Sequence, residues 1–163
     1  MTLRRLLVYD AVVLTALLWF LGKFVRYAFP PLFGPLQTGY GVSNTAVGTA
    51  FTGFMLVYAL LQFPSGAIAD RVGPVRVITA GAGVAGVGSL ALVVDTPFIV
   101  LAGIMLVIGA GTGAHKTVAV RLLARTYPDR AGRVLGAHDT LGALGGVAAP
   151  AAVVLVLTPP PVL

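Results

Sequence analysis

Several ionisable side chains lie within otherwise apolar stretches of this sequence, among them Asp10, Lys23, Arg26, His115, Lys116 and Asp139. A charge inside a hydrocarbon-like span is costly, so such groups mark a solute or ion pathway or a paired site. Lys23 and Arg26 are three apart and share one helical face. Two accounts of them stand. Long basic side chains can snorkel to the outer interface, or Arg26, one turn before Pro30, faces a cavity and binds an anionic group. His115 and Lys116 sit slightly inward of the centre of their span, too deep for easy snorkelling, and at least one is expected to serve a cavity or a helix–helix contact. Asp139 falls on the face of Gly142 and Gly146 and therefore toward a neighbouring helix, with Lys116 or His115 as its partner. A histidine there can titrate near neutral pH and couple proton movement to a solute. Asp10 is either a second carboxylate of the pathway or a residue near the aqueous interface. Tyr58 and Gln62, four apart, are further cavity candidates.

The elements that carry these groups follow from composition. Of 163 residues, 58% are hydrophobic and 10% charged, and the mean hydropathy is +0.97. That leaves too little polar surface to cover a water-soluble globule, so the chain belongs in a lipid bilayer. The expected class is an all-α integral membrane protein, one helical domain over residues 1–163, with spans near 6–29, 45–69, 77–94, 98–124 and 134–157. The uncharged stretch between Pro30 and Asn44 reads as a loop of turn formers. Asp95, Thr96 and Pro97 form a second short turn. Glycines four apart on the spans, with Ala82 and Gly86, Gly109 and Gly113, and Gly142 and Gly146 as the pairs, suit close packing of membrane helices.

The net charge of +6 comes from basic residues at span ends, including Arg4, Arg5 and the segment from Arg121 to Arg133. This is the positive-inside pattern and not a nucleic-acid patch. It places the N-terminus, the Asp70 turn and the Arg121–Arg133 segment in the cytoplasm, and the C-terminus of this chain, beyond Pro159–Pro161, outside a plasma membrane. Without cysteine there is no disulfide or thiolate chemistry. His115 and His138 lie on different spans with no nearby pair at metal-ligand spacing, so no metal is expected. Gly81 to Gly86 spells a dinucleotide fingerprint, but no charge occurs from Val77 to Val94, and a helix apolar all round belongs in lipid. No cofactor or enzyme activity is expected.

Between the second and third spans runs Gly66-Ala67-Ile68-Ala69-Asp70-Arg71-Val72-Gly73-Pro74-Val75-Arg76. Gly66, Asp70, Arg71 and Gly73 match the turn signature of the major facilitator superfamily of secondary transporters. Pro74 and Val75 stand where that signature has basic residues, and Arg76 supplies the displaced charge. Taken on its own chemistry, Asp70 is a helix-capping residue and the arginines hold the topology. Gly136, Gly145, Ala149 and Pro150 resemble the antiporter motif of the family's fifth helix, with Ala149 in place of a glycine. Small residues at helical spacing are equally what plain packing requires.

The resemblance implies the N-terminal six-helix bundle of the major facilitator fold, lacking the sixth helix. It implies a secondary transporter of a small solute working by alternating access, coupled to protons, with an antiporter or exporter suggested by the fifth-helix motif. Asp70 and Arg71 would latch the bundle against a second half in the outward-facing state. The basic cluster points to an anionic solute. The chain is expected to be part of a longer transporter, or a half-unit that finds its second wall in a partner chain. The rival class is a non-transporting membrane protein whose glycine faces serve assembly with a partner.

Overall fold

The computed structural model describes the backbone of residues 3–158 and the side chains of residues 10–158. Arg4, Arg5 and the run Pro159–Pro161 lie outside the side chains described. The element order is α1 (Leu3–Ala28), a 3-10 turn (Pro30–Leu32), α2 (Phe33–Tyr40), α3 (Asn44–Val72), α4 (Pro74–Ala91), α5 (Phe98–Thr126), a second 3-10 turn (Pro128–Arg130) and α6 (Ala131–Leu157). There is no strand among the described residues, so the glycine-rich run in α4 is membrane helix and not a nucleotide loop. Among the described residues, five segments are long and apolar enough to cross a bilayer. Their outward faces carry large apolar side chains, with Phe63 88% and Val156 80% exposed, which water would not tolerate in such number and lipid does.

Two boundaries differ from the sequence expectation. The stretch from Pro30 to Asn44 is helical over most of its length. Phe29, Leu32 and Phe33 all keep right-handed helical angles, and Pro30 and Pro31 open a new turn, where a missing N–H costs nothing. The segment ends only at Gly41, in the left-handed region at φ 63° with its N–H on the Gln37 carbonyl. The second difference lies at the Asp70 turn. Asp70 and Arg71 are inside α3, Arg76 is inside α4, and the connection is the single residue Gly73. Its φ of 95° lets it end α3, donating to the Ala69 carbonyl at 3.0 Å, and start α4 with Pro74 as the first helical residue. Asp70 therefore caps neither helix.

The helices form two groups. α5 packs against α3 and α4, while α1 packs against α6, and the two groups share far fewer contacts. Glycine sets the approach in each. On α5, a Cβ at Gly109 would meet the Phe54 carbonyl oxygen at 2.6 Å, and one at Gly111 would meet the Gly81 carbonyl oxygen, also at 2.6 Å. Backbone thus touches backbone on both sides of α5. On α6, Gly142 admits the Trp19 indole and Gly145 the Phe20 backbone. On α4 the packing residues are Gly81 and Gly88. Gly86, expected with Ala82 to make that face, has open space beside it.

Polar side chains on the spans mostly find partners within their own helix. Thr15, Thr52, Ser65, Ser89 and Thr112 each donate to a carbonyl three or four residues earlier, as side chains in a medium without water must.

Candidate functional site

Within the described membrane-spanning segments, the buried exceptions to that satisfaction gather in one place. Trp19 Nε1, Arg26 Nε and both ring nitrogens of His115 and of His138 are buried without a hydrogen-bond partner. All lie on the seam between the α1/α6 pair and the α3/α4/α5 group.

Trp19, 4% exposed, is the centre of the cluster. Gly142 lets the indole sink against α6. The rings of His115 and His138 stack near it, with centroids 6.1 and 6.2 Å away, and lie 5.9 Å from each other. Three cations surround the same ring: Lys116 Nζ at 4.7 Å, Lys23 Nζ at 5.1 Å and the Arg26 guanidinium at 5.4 Å from its centroid. Arg26 also lies over the Tyr58 ring of α3 at 4.0 Å. Cation–π contacts of this kind offset part of the cost of a desolvated charge without neutralising it.

The Arg26 side chain turns into the bundle. It is 5% exposed, folded inward over Tyr58, and pairs with no carboxylate among the described residues. Lys23 is half-buried. The single carboxylate of the cluster is Asp139, whose Oδ1 accepts from Lys116 Nζ in a short ion pair. Of the two partners open to Asp139 in the sequence, Lys116 is the one it takes. His138 Nδ1 lies 3.5 Å from the same oxygen. The cluster therefore holds three fixed cations against one anion, with two imidazoles between them, and can attract and orient a negatively charged solute.

Asp10 is exposed, away from this cluster. Gln62 accepts from Ser65 through its backbone carbonyl. Gly136 is exposed with open space around it, whereas Gly145 and the fully buried Ala149 pack inward and Pro150 lies within α6. An apolar groove of about 230 Å³ between α1 and α4, floored by Gly111 and Thr112, touches the cluster only through Trp19 and His115.

At one end of the bundle Asp70 is engaged by Arg121 of α5. Arg121 Nη2 donates to Asp70 Oδ1 at 3.0 Å, and both of its Nη atoms reach Oδ2 at 3.2 Å. The two side chains are about half exposed. Gly66 leaves room for the Arg121 side chain, whose Nη1 would lie 3.3 Å from a Cβ there. Arg71 and Arg76 are exposed beside this pair.

Three participants were not singled out from the sequence. Trp19 carried a signal, as the sole tryptophan on the helix of Lys23 and Arg26. Arg121 was one basic residue of a long run, and only the parallel approach of α3 and α5 selects it. The sequence gives no metal spacing that would select His138, although it neighbours Asp139.

The sequence matches the Major Facilitator Superfamily over residues 14–159. The chain belongs to the major facilitator superfamily. It is also 28% identical over 129 residues to an uncharacterized MFS-type transporter of Mycobacterium tuberculosis, a match covering 78% of this chain and 22% of that protein. The chain thus spans about a fifth of the length of that relative. Membership in this family points to transport rather than to enzyme catalysis.

Proposed function

We propose that the chain forms one wall of a secondary active transporter that moves a small anionic solute by alternating access, driven by a proton gradient. The observation that carries this is Arg26, a buried cation with no carboxylate partner among the described residues, in a cluster of three cations and one acid. A buried charge left without a counter-ion is unfavourable. A carboxylate or phosphate group of a solute would complete it, with Lys23 beside it and Tyr58 fixing the guanidinium plane. A second helical bundle, in the same polypeptide or in a partner chain, would supply the opposite wall, as the binding site of such transporters lies between two halves near the midplane.

In this proposal the end bearing Asp70, Arg71, Gly73, Arg76 and Arg121 faces the cytoplasm of a cell whose plasma membrane holds the protein, following the basic-residue bias. The Asp70–Arg121 pair fixes the ends of α3 and α5, and Arg71 and Arg76 remain exposed to latch the second bundle. The rival assembly role draws less support, because Gly81, Gly109, Gly111, Gly142 and Gly145 are already used in contacts within this chain.

The experiment is a fluorescence titration of Trp19, the only tryptophan, in the chain reconstituted in nanodiscs. Acetate, succinate and inorganic phosphate are the probes. At least one is expected to change the emission, and Arg26→Gln is expected to weaken it about tenfold or more, the weight of a charge-assisted hydrogen bond. No response to any of the anions, or equal affinity in R26Q, would overturn the proposal.

A further inference from the structure

Two nitrogen-bearing side chains from different helices converge on one oxygen of Asp139. Lys116 Nζ of α5 donates to Asp139 Oδ1, and His138 Nδ1 of α6 stands 3.5 Å from that oxygen. His138 is completely buried, and neither of its ring nitrogens has a hydrogen-bond partner. A neutral imidazole with its hydrogen on Nε2 presents only a lone pair at Nδ1 and leaves the oxygen to Lys116. A protonated imidazole carries a hydrogen on both nitrogens and needs an acceptor. Asp139 Oδ1 is the carboxylate oxygen within reach.

We infer that His138 is the proton site of the transport cycle, and that protonation transfers Asp139 Oδ1 from Lys116 to His138, freeing Lys116 to bind the anionic solute. The inference rests on the anion-transport proposal above and supplies its coupling step. The proton is held on His138 Nδ1, which then donates to Asp139 Oδ1. Lys116 Nζ, relieved of its carboxylate, faces the same indole as Lys23 and Arg26.

The groups around His138 set the sign of the coupling. From α6 it faces Asp139, from α5 His115 and Lys116, and from α1 Trp19, with Lys23 and Arg26 beyond the indole. A proton added to this cluster adds a further positive charge to three fixed cations, which is unfavourable without a compensating anion. Solute and proton therefore bind together, and by linkage each raises the affinity of the other. Their common direction makes the cycle a symport. This departs from the antiport implied by the fifth-helix motif, whose Gly136 stands in open space.

Trp19 reports the event, because an imidazole stacked on it quenches its emission differently when charged. The test follows Trp19 fluorescence against pH in nanodiscs. The native chain is expected to show a titration that His138→Gln removes and His115→Gln retains. Lys116→Met, which leaves Asp139 Oδ1 to His138 alone, is expected to raise the midpoint by about half a pH unit or more, and Asp139→Asn to lower it by a similar amount. Succinate or phosphate is expected to raise the midpoint of the native chain and to raise that of K116M less, since Lys23 and Arg26 remain at the indole. Lys116 and Asp139 are partly exposed, so their variants remain informative even if H138Q does not fold. Shifts of the same sign in K116M and D139N, or no shift in either, would overturn the inference. So would a titration lost in H115Q and kept in H138Q. Opposite shifts without any anion effect would leave the proton site standing and sink the anion-transport proposal instead.

Discussion

Substitution of Gly109 by alanine is the most direct test of the packing that holds the site. The added Cβ would lie 2.6 Å from the Phe54 carbonyl oxygen and 3.3 Å from Phe54 Cδ2, and the first of these is shorter than real Cβ contacts, which begin near 3.0 Å. Neither neighbour is the free end of a flexible chain. Phe54 is fully buried, and its carbonyl belongs to the α3 backbone. To reach an ordinary contact α3 would have to retreat from α5 by about 0.8 Å, and a gap of that size forfeits a quarter to a half of the dispersion attraction of the atoms it separates. Overpacking of this kind costs about 1–3 kcal/mol, against which the better helix propensity of alanine returns about 0.5–1 kcal/mol. Gly103, earlier on the same helix, has nothing within 4 Å of its Cβ position, so Gly103→Ala is expected to be neutral or slightly stabilising. The assay is reversible unfolding of the two variants in mixed micelles of increasing denaturing detergent, followed by Trp19 emission. Equal stabilities, or a larger loss at Gly103 than at Gly109, would refute the claim that α3 and α5 meet backbone to backbone.

Two further outcomes are expected. Gly73→Ala places a Cβ where φ is 95° and should destabilise the α3–α4 connection by about 1–3 kcal/mol, read in the same unfolding assay; an unchanged midpoint would show that the turn relaxes to an ordinary conformation. Asp70→Asn and Arg121→Gln break a bidentate pair that is nearly half exposed, so each should cost less than about 1 kcal/mol. A double-mutant cycle measures the coupling, and a value well above that range would mean that the pair is shielded by lipid or protein.

The sequence by itself determined the class and the order of the chain. Apolar spans long enough for a bilayer and a charge pattern confined to their ends leave helices as the available form, since a backbone in lipid must satisfy its own hydrogen bonds. It also named most of the polar residues that meet at the site, because an ionisable group in an apolar span stands out regardless of fold. Local signals mislead where proline and glycine suggest a loop. Pro30 and Pro31 start a turn as readily as they stop one, and only at Gly41 does the chain leave the helical region. The Asp70 motif shows the same limit, for Gly73 alone is the turn and the charged residues are helical.

Tertiary structure decided the pairings. Which cation Asp139 takes depends on the contact of α5 with α6, and no spacing within one helix encodes it. Arg121 was indistinguishable from its basic neighbours until the parallel approach of α3 and α5, set by Gly109 and Gly113, brought it to Asp70. Arg26 could have reached the interface, since its side chain is long enough for either fate. The Tyr58 ring on another helix gives the guanidinium a surface to lie on and makes it a buried cation. Trp19 acquires its position in the same way, from a glycine on α6 that leaves room for an indole. Periodicity assigns a residue to a face of its own helix, whereas the partner on that face is fixed by side-chain volumes on helices distant in sequence.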